Sequence, residues 1–91
     1  MEMTNNISFE LPKKGATRRQ VRELLGRLMV HYSNLYQQHS DYKYSNIANK
    51  LSIFRYFLQM KDYNRDQHDT IMDFLMKLKA NPDMYPDEVI K

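Results

Sequence analysis

The sequence has no cysteine and no tryptophan, and only two glycines and three prolines among its 91 residues. Without cysteine, disulfide bonds and thiolate metal sites are excluded, so a hydrophobic core must stabilise the fold. A chain of this length buries roughly 60 to 65% of its unfolded surface, which is enough for one modest core. The low glycine and proline content favours helices over a sandwich of short strands.

No run of about 18 apolar residues is present, and no basic and apolar leader with a small-residue cleavage site opens the chain. We therefore expect a cytoplasmic protein without a transmembrane segment, which could still act peripherally at the inner membrane face. Glycine-rich phosphate loops, nucleophile motifs and histidine ligand pairs are also lacking. The sequence thus predicts a protein that acts by binding and not as an enzyme, with no cofactor and no metal site.

Three segments carry apolar residues at the spacing of an α-helix. The central one, residues 45–60, has two adjacent apolar ridges, so we expect neighbours on two sides. The first begins with a capping-box pattern at Thr17 and ends near His39. The third begins with the same pattern at Asn64 and ends before Pro82, with a row of aspartates opposite its apolar stripe, where a solvated face is expected.

These segments predict an all-α fold, a small antiparallel three-helix bundle over residues 17–81. Residues 82–91 form a C-terminal tail, which would make a fourth element if it adds one short turn. Residues 1–16 form an N-terminal arm that is flexible or extended. Within the arm, residues 7–11 alternate apolar and polar side chains as a short strand does. Such a strand would lie along the bundle or pair with a second copy in a homodimer.

Positive charge is concentrated in residues 12–27, which carry six cations and one acid. Four of these cations precede or enter the first turn of the first helix, where the helix dipole makes each unfavourable by roughly 0.3 to 1 kcal/mol. Because local stability does not explain them, we expect an anionic partner such as nucleic acid, anionic lipid or an acidic protein, with a merely solvated face as the alternative. The candidate binding residues are Lys13, Lys14, Arg18, Arg19, Arg22 and Arg27.

Tyrosines offer a second clue, because aromatic rings beside cations can stack on bases. Tyr42 and Tyr44 with Arg55 would form such a surface if they lay beside the basic residues. The other candidates have the spacing of residues at the rim of the core: Tyr32, Tyr36 and Tyr56.

Two short patterns resemble DNA-binding motifs. Residues 47–51 read Ile-Ala-Asn-Lys-Leu, like the second helix of a helix-turn-helix, but no glycine turn follows. A strand in the arm followed by helices resembles ribbon-helix-helix proteins, although the first helix is too long for that fold unless it breaks at Gly26.

A longer resemblance starts in the central segment. Residues 51–58 read Leu-Ser-Ile-Phe-Arg-Tyr-Phe-Leu, a polar break ends in Tyr63-Asn64, and residues 66–78 read Asp-Gln-His-Asp-Thr-Ile-Met-Asp-Phe-Leu-Met-Lys-Leu. With the basic entry at residues 15–19, this part resembles the immunity proteins that protect lactic-acid bacteria from their own pediocin-like bacteriocins, the enterocin A immunity type. That family has four antiparallel helices, one more than we predict here.

The resemblance implies a non-catalytic protein that occludes the bacteriocin-bound sugar-uptake permease at the inner membrane face. In that family the C-terminal part sets which bacteriocin is recognised. By position, specificity would then lie in the third helix and the tail, with candidate residues Asn81, Asp83, Met84, Tyr85 and Lys91.

Three functions therefore stay open. The first is a bacteriocin immunity-type protein, and the second is a small basic nucleic-acid-binding or regulatory protein of a phage or plasmid. The third is an inhibitor of a host protein, which would use exposed apolar residues that lie off the helical stripes, such as Val30, Met76 and Met84. A homodimer would cover the same residues.

Overall fold

A computed structural model describes residues 9–82 of the chain. These residues form three α-helices and no strand: α1 (Arg18–His39), α2 (Tyr42–Phe57) and α3 (Arg65–Ala80). The prediction of an all-helical protein with three helices is confirmed for this part of the chain. The predicted turn in the C-terminal tail lies outside the described residues.

Helix α1 begins at the predicted capping box. The Thr17 hydroxyl accepts a hydrogen bond from the Gln20 backbone N–H at 3.1 Å, and the Gln20 side chain accepts one from the Thr17 N–H at 2.9 Å. Both bonds satisfy N–H groups that have no partner inside the helix. The helix then runs through Gly26 without a break, which removes the condition under which a ribbon-helix-helix fold was considered.

A two-residue turn connects α1 to α2. Ser40 ends α1 in the left-handed conformation, with φ of 56°. Asp41 follows as the N-cap, and its carboxylate accepts a hydrogen bond from the Lys43 backbone N–H at 3.1 Å. The sequence left open which residue caps α2. Because Asp41 does so, α2 begins at Tyr42 and not at the expected residue 45.

Helix α3 confirms its predicted boundaries. Asn64 and Gln67 form a second capping box, with hydrogen bonds of 2.9 and 3.1 Å. The face opposite the core is acidic and exposed, as expected, and it carries Asp66, Asp69 and Asp73. An exposed ion pair joins Asp73 to Lys77 at 3.1 Å.

One hydrophobic core lies between the three helices. Phe54 of α2 meets Phe74 of α3 edge to face, with ring centroids 5.3 Å apart. The ring centroids of Tyr32 in α1 and Tyr44 in α2 are 6.1 Å apart. Burying one such large apolar side chain contributes about 1.5 to 3 kcal/mol. The largest fully buried side chains are Val21, Leu25, Leu28, Tyr32, Ile47, Leu51, Ile71, Phe74, Leu75 and Leu78.

Part of the N-terminal arm contacts the helices. The Phe9 side chain is 6% exposed and belongs to the core. Its carbonyl oxygen accepts a hydrogen bond from Lys79 Nζ near the end of α3, and that ammonium lies 5.3 Å from the ring centroid. The strand predicted for residues 7–11 is not formed over residues 9–11, where Phe9 lies against the helices, one of the two arrangements expected for this segment. Its first two residues lie outside the described range.

Helix α2 is covered on fewer sides than expected. Its second apolar ridge is only partly buried: Phe57 packs against the core, whereas Ile53 is 47% and Tyr56 65% exposed. The two neighbouring helices cover mainly the ridge that contains Leu51 and Phe54. We call the uncovered side the outer face of α2; its exposed residues are Tyr42, Asn46, Asn49, Ser52, Ile53 and Tyr56.

Candidate functional site

The candidate site begins at a tight turn before α1. The Ala16 backbone N–H donates to the Lys13 carbonyl oxygen at 2.9 Å, which closes a four-residue turn. Gly15, the third residue of this turn, has φ of +91°, a conformation that glycine adopts at little cost and that type II turns require there. The turn reverses the chain and exposes the side chains of Lys13 and Lys14.

An open groove of about 510 Å³ lies between this turn and α1. Residues 10–16 form one wall, and Gln20, Leu24 and Arg27 form the other. The α1 residues share a helix face because they are spaced four and three apart. We call this feature the basic groove, since its lining has three cations, Lys13, Lys14 and Arg27, and one acid, Glu10.

The cations of the basic groove have no acidic partner within residues 9–82. The ion pairs of that range join Arg19 to Glu23, Lys43 to Asp41 and Lys77 to Asp73. Lys13, Lys14 and Arg27 take part in none of them and are exposed. An anion that enters the groove would therefore meet three cations that form no ion pair within residues 9–82, against one acid, Glu10.

Arg18 has an internal role that the sequence argument missed. Its guanidinium donates to the carbonyl oxygens of Met60 at 3.1 Å and Leu58 at 3.5 Å, and it lies 4.8 Å from the centroid of the Tyr63 ring. Carbonyls at a helix C-terminus have no partner within the helix and carry negative partial charge. The dipole of α1 therefore disfavours a cation at Arg18, whereas the C-terminal end of α2, which the guanidinium contacts, favours one. Arg19 is also engaged, in the exposed pair with Glu23 at 3.4 Å.

Tyr63 joins this contact region to α3. Its hydroxyl lies 2.8 Å from His68 Nδ1. Burial raises the pKa of Tyr63, the nearby Arg18 guanidinium lowers it, and Asp69 raises it. The Arg18 surroundings thus belong to the packing of the three helices more than to an open binding surface.

On another side of α1, Arg55 of α2 lies against Gly26. A Cβ atom at Gly26 would be 3.7 Å from Arg55 Nε and 3.8 Å from Cζ, so the guanidinium packs on the bare backbone. Arg55 Nε is enclosed and has no hydrogen-bond partner. Arg22 lies one turn before Gly26 on the same side of α1, is half-buried, and makes no ion pair within the described residues.

The tyrosines are arranged differently from the sequence prediction. Tyr44 is buried and cannot stack on a base, whereas Tyr42 is exposed and packs on Tyr36 with centroids 5.9 Å apart. Tyr56, expected at the rim of the core, is 65% exposed and follows Arg55 directly. Each of the three predicted stacking residues contacts α1, but at different places: Tyr42 and Tyr44 pack on its C-terminal half, and Arg55 packs on Gly26. The spacing of apolar residues along α2 could not predict the exposure of Tyr56, because that exposure depends on how many helices surround α2.

Of the candidate specificity residues, only Asn81 falls within the described range. Its backbone N–H donates to the Lys77 carbonyl oxygen at 2.9 Å and ends α3. Asp83, Met84, Tyr85 and Lys91 lie outside the described residues. Within residues 9–82, no three His, Asp or Glu side chains are grouped as metal ligands would be. No helix of this range has the length and hydropathy required to cross a membrane.

No family model, curated protein or solved structure matches this chain.

Proposed function

We propose that this protein acts by binding, without catalysis, and that its basic groove binds the phosphates of nucleic acid. The observation that carries the proposal is the convergence of Lys13, Lys14 and Arg27 on one groove without acidic partners. Neutralising phosphates with such cations releases counterions from the nucleic acid, which supplies most of the affinity of non-specific binding.

The spread of the cations favours a polymer over a small anion. Lys13 and Lys14 lie in the turn before α1, and Arg27 lies nine residues after the first residue of α1, about 14 Å along the helix axis. Over that length one strand of B-form DNA carries about four phosphates. A single phosphate or carboxylate would engage only one or two cations, whereas a nucleic-acid strand can engage the series along α1 and the turn.

The proposal includes an antiparallel arrangement of neighbouring helices. It is supported by the contact of Arg18, at the start of α1, with the carbonyls of Leu58 and Met60, which follow α2. In this arrangement the cations at the start of α1 lie at the same end of the bundle as Arg55.

Binding can be tested by fluorescence polarisation with labelled single-stranded DNA, duplex DNA and RNA at low and moderate salt. We expect micromolar or tighter binding that weakens steeply with salt. A variant with Lys13→Gln, Lys14→Gln and Arg27→Gln should bind at least about tenfold more weakly, because three phosphate contacts are lost. The matched control, Lys61→Gln with Arg65→Gln and Lys77→Gln, removes the same charge from exposed sites outside the groove. No binding at low salt, or equal losses in both variants, would reject the proposal.

A second candidate function is recognition of a protein, as in the bacteriocin immunity-type proteins. It is supported by the outer face of α2, whose exposed residues include Tyr42, Ile53 and Tyr56 and no charged side chain. Centres of protein interfaces are likewise poor in charge and rich in aromatic residues. The partner would be a membrane permease with its bound peptide. An inhibitor of a host protein would instead use the predicted apolar residues Val30 and Met76, which are 57% and 56% exposed.

The two candidates can be separated in cells. Expression of an immunity-type protein should protect a sensitive bacterium from a pediocin-like peptide. Ile53→Lys should abolish that protection, because it places a charge in the centre of the outer face of α2. Met76→Lys is the matched control, since Met76 is 56% exposed on α3. Absence of protection by the unmodified protein would exclude the peptides tested as its targets.

A further inference from the structure

We propose that Arg22 and Arg55 beside Gly26, together with Tyr56, the next residue after Arg55, form a nucleotide subsite for single-stranded nucleic acid. In this subsite, which we call the Gly26 subsite, the guanidinium groups bind a phosphate and the Tyr56 ring stacks on a base. The inference rests on the proposed function and specifies the kind of strand and the contacts that distinguish it.

The first support is the hydrogen-bonding state of Arg55. Among the buried side-chain nitrogen and oxygen atoms of residues 9–82, only Arg55 Nε has no hydrogen-bond partner. Buried polar groups without a partner in the protein are rare in folded proteins. A guanidinium presents its N–H groups in a planar fork that matches the oxygens of a phosphate.

The second support is the charge around this group. Helix α2 contains three cations and no Asp or Glu. Neither Arg55 nor Arg22 makes an ion pair within the described residues. Gly26 allows the Arg55 guanidinium to approach the α1 backbone, one turn from Arg22. Two arginines thus start from adjacent parts of α1 and α2 without a carboxylate to neutralise them, and a phosphate would supply the missing negative charge.

The third support is Tyr56, which follows Arg55 in the chain. Tyr56 is 65% exposed, although its spacing in the sequence predicts a position at the rim of the core. An aromatic ring that is exposed beside cations provides a stacking platform for a base. Bases of a duplex are stacked on their neighbours and are not available to such a ring, so the subsite selects single strands.

Tyr42 serves as an internal control for the stacking argument. It lies on the same helix and is 72% exposed, so it has the accessibility of Tyr56. It is fourteen residues away, about 21 Å along the axis, and its ring packs on Tyr36. A ligand held by Arg22 and Arg55 should therefore contact Tyr56 and not Tyr42.

The experiment uses the absence of tryptophan from the chain. Tyr56→Trp and Tyr42→Trp each introduce a single tryptophan into the full-length protein, and each variant is titrated with oligothymidylate, a duplex of equal length and inorganic phosphate. We expect oligothymidylate to quench the emission of the Tyr56→Trp protein at least about twofold more than that of the Tyr42→Trp protein, because a stacked base quenches the indole. The duplex and inorganic phosphate should leave both emissions unchanged.

The arginines are tested in the Tyr56→Trp background. Arg55→Gln or Arg22→Gln should weaken oligothymidylate binding about tenfold, as expected for the loss of one charge-assisted contact. Lys50→Gln removes a half-buried cation from the same helix and should change affinity much less. Circular dichroism establishes that each variant keeps its helices.

Failure of the subsite can be distinguished from failure of the proposed function. If oligothymidylate binds and depends only on Lys13, Lys14 and Arg27, the proposed function stands and the Gly26 subsite is rejected. Equal quenching of the two tryptophan variants, or equal affinity for duplex and single strand, also rejects it. If no nucleic acid binds at low salt, both proposals are rejected together.

Discussion

The guanidinium of Arg18 donates a hydrogen bond of 3.1 Å to the carbonyl oxygen of Met60, 42 residues further along the chain. The contact places a cation from the start of α1 at the negative end of α2, where a positive charge is favourable. The stability of the fold therefore explains one of the six cations of residues 12–27, namely Arg18. A test of nucleic-acid binding should therefore leave Arg18 unchanged, since its loss would alter the packing of the helices.

Replacing Arg18 by alanine should lower the free energy of unfolding by about 1 to 2 kcal/mol, because a charge-assisted hydrogen bond and a contact with Tyr63 are lost. Arg19→Ala should change it by less than about 0.5 kcal/mol, since its pair with Glu23 is exposed. Urea denaturation followed by circular dichroism measures both. Equal effects of the two substitutions would contradict the role assigned to Arg18.

Gly26→Ala should stabilise the protein by about 0.5 to 1 kcal/mol. Alanine is the better residue in a helix interior, and the added Cβ would make an ordinary contact with Arg55 Nε at 3.7 Å. The measurement is the midpoint of thermal or urea unfolding. A loss of stability would show that Arg55 needs more room than the structure indicates.

Gly15→Ala should lower the stability of the protein, whereas Gly26→Ala should raise it, although both substitutions add one methyl group. No atom lies within 4 Å of the added Cβ, but the φ of +91° is strained for any L side chain and costs about 1 to 2 kcal/mol. Relief of this strain would move Lys13 and Lys14 away from Arg27. We therefore expect weaker nucleic-acid binding as well as a lower unfolding midpoint, and retention of both would contradict the turn geometry.

Stability should fall between pH 7.5 and pH 5.5 in part because of His31. Burial lowers the pKa of His31 from its ordinary value of 6.5, and its ring lies edge-on to that of Tyr32 at 5.1 Å. The unfolded chain then binds a proton at higher pH than the folded one. The stability contributed by neutral His31 is present above about pH 6.5 and is lost as the pH falls toward the folded-state pKa.

His31→Gln should therefore lose less thermal stability over that pH range than the unmodified protein. Unfolding midpoints at several pH values, compared between the two proteins, measure the difference. Parallel curves for both would show that His31 does not titrate differently in the folded and unfolded states.

Helix boundaries were predictable where the signals are local. The capping boxes at Thr17 and Asn64 each involve residues three apart, and both helices start where those patterns place them. The start of α2 was missed by three residues because Ser40, Asp41 and Ser45 can all cap a helix. The choice between them depends on how Ser40 ends α1.

The candidate site was predictable only as a group of cations. The concentration of positive charge in residues 12–27 is visible in the sequence. The sequence alone could not separate Arg18 from Lys13, because the partners of Arg18 are carbonyls near residue 60.

Composition and local order were sufficient to establish a helical protein with three helices in its described part and a basic region before and within the first. The local sequence was sufficient to predict these features because the spacing of apolar residues, helix capping and charge each involve residues within a few positions of one another. Packing between distant segments was required to place Arg18 at the end of α2, to bring Arg55 against Gly26 and to leave Tyr56 exposed. These outcomes depend on which helix faces meet, and no pattern confined to one helix contains that information.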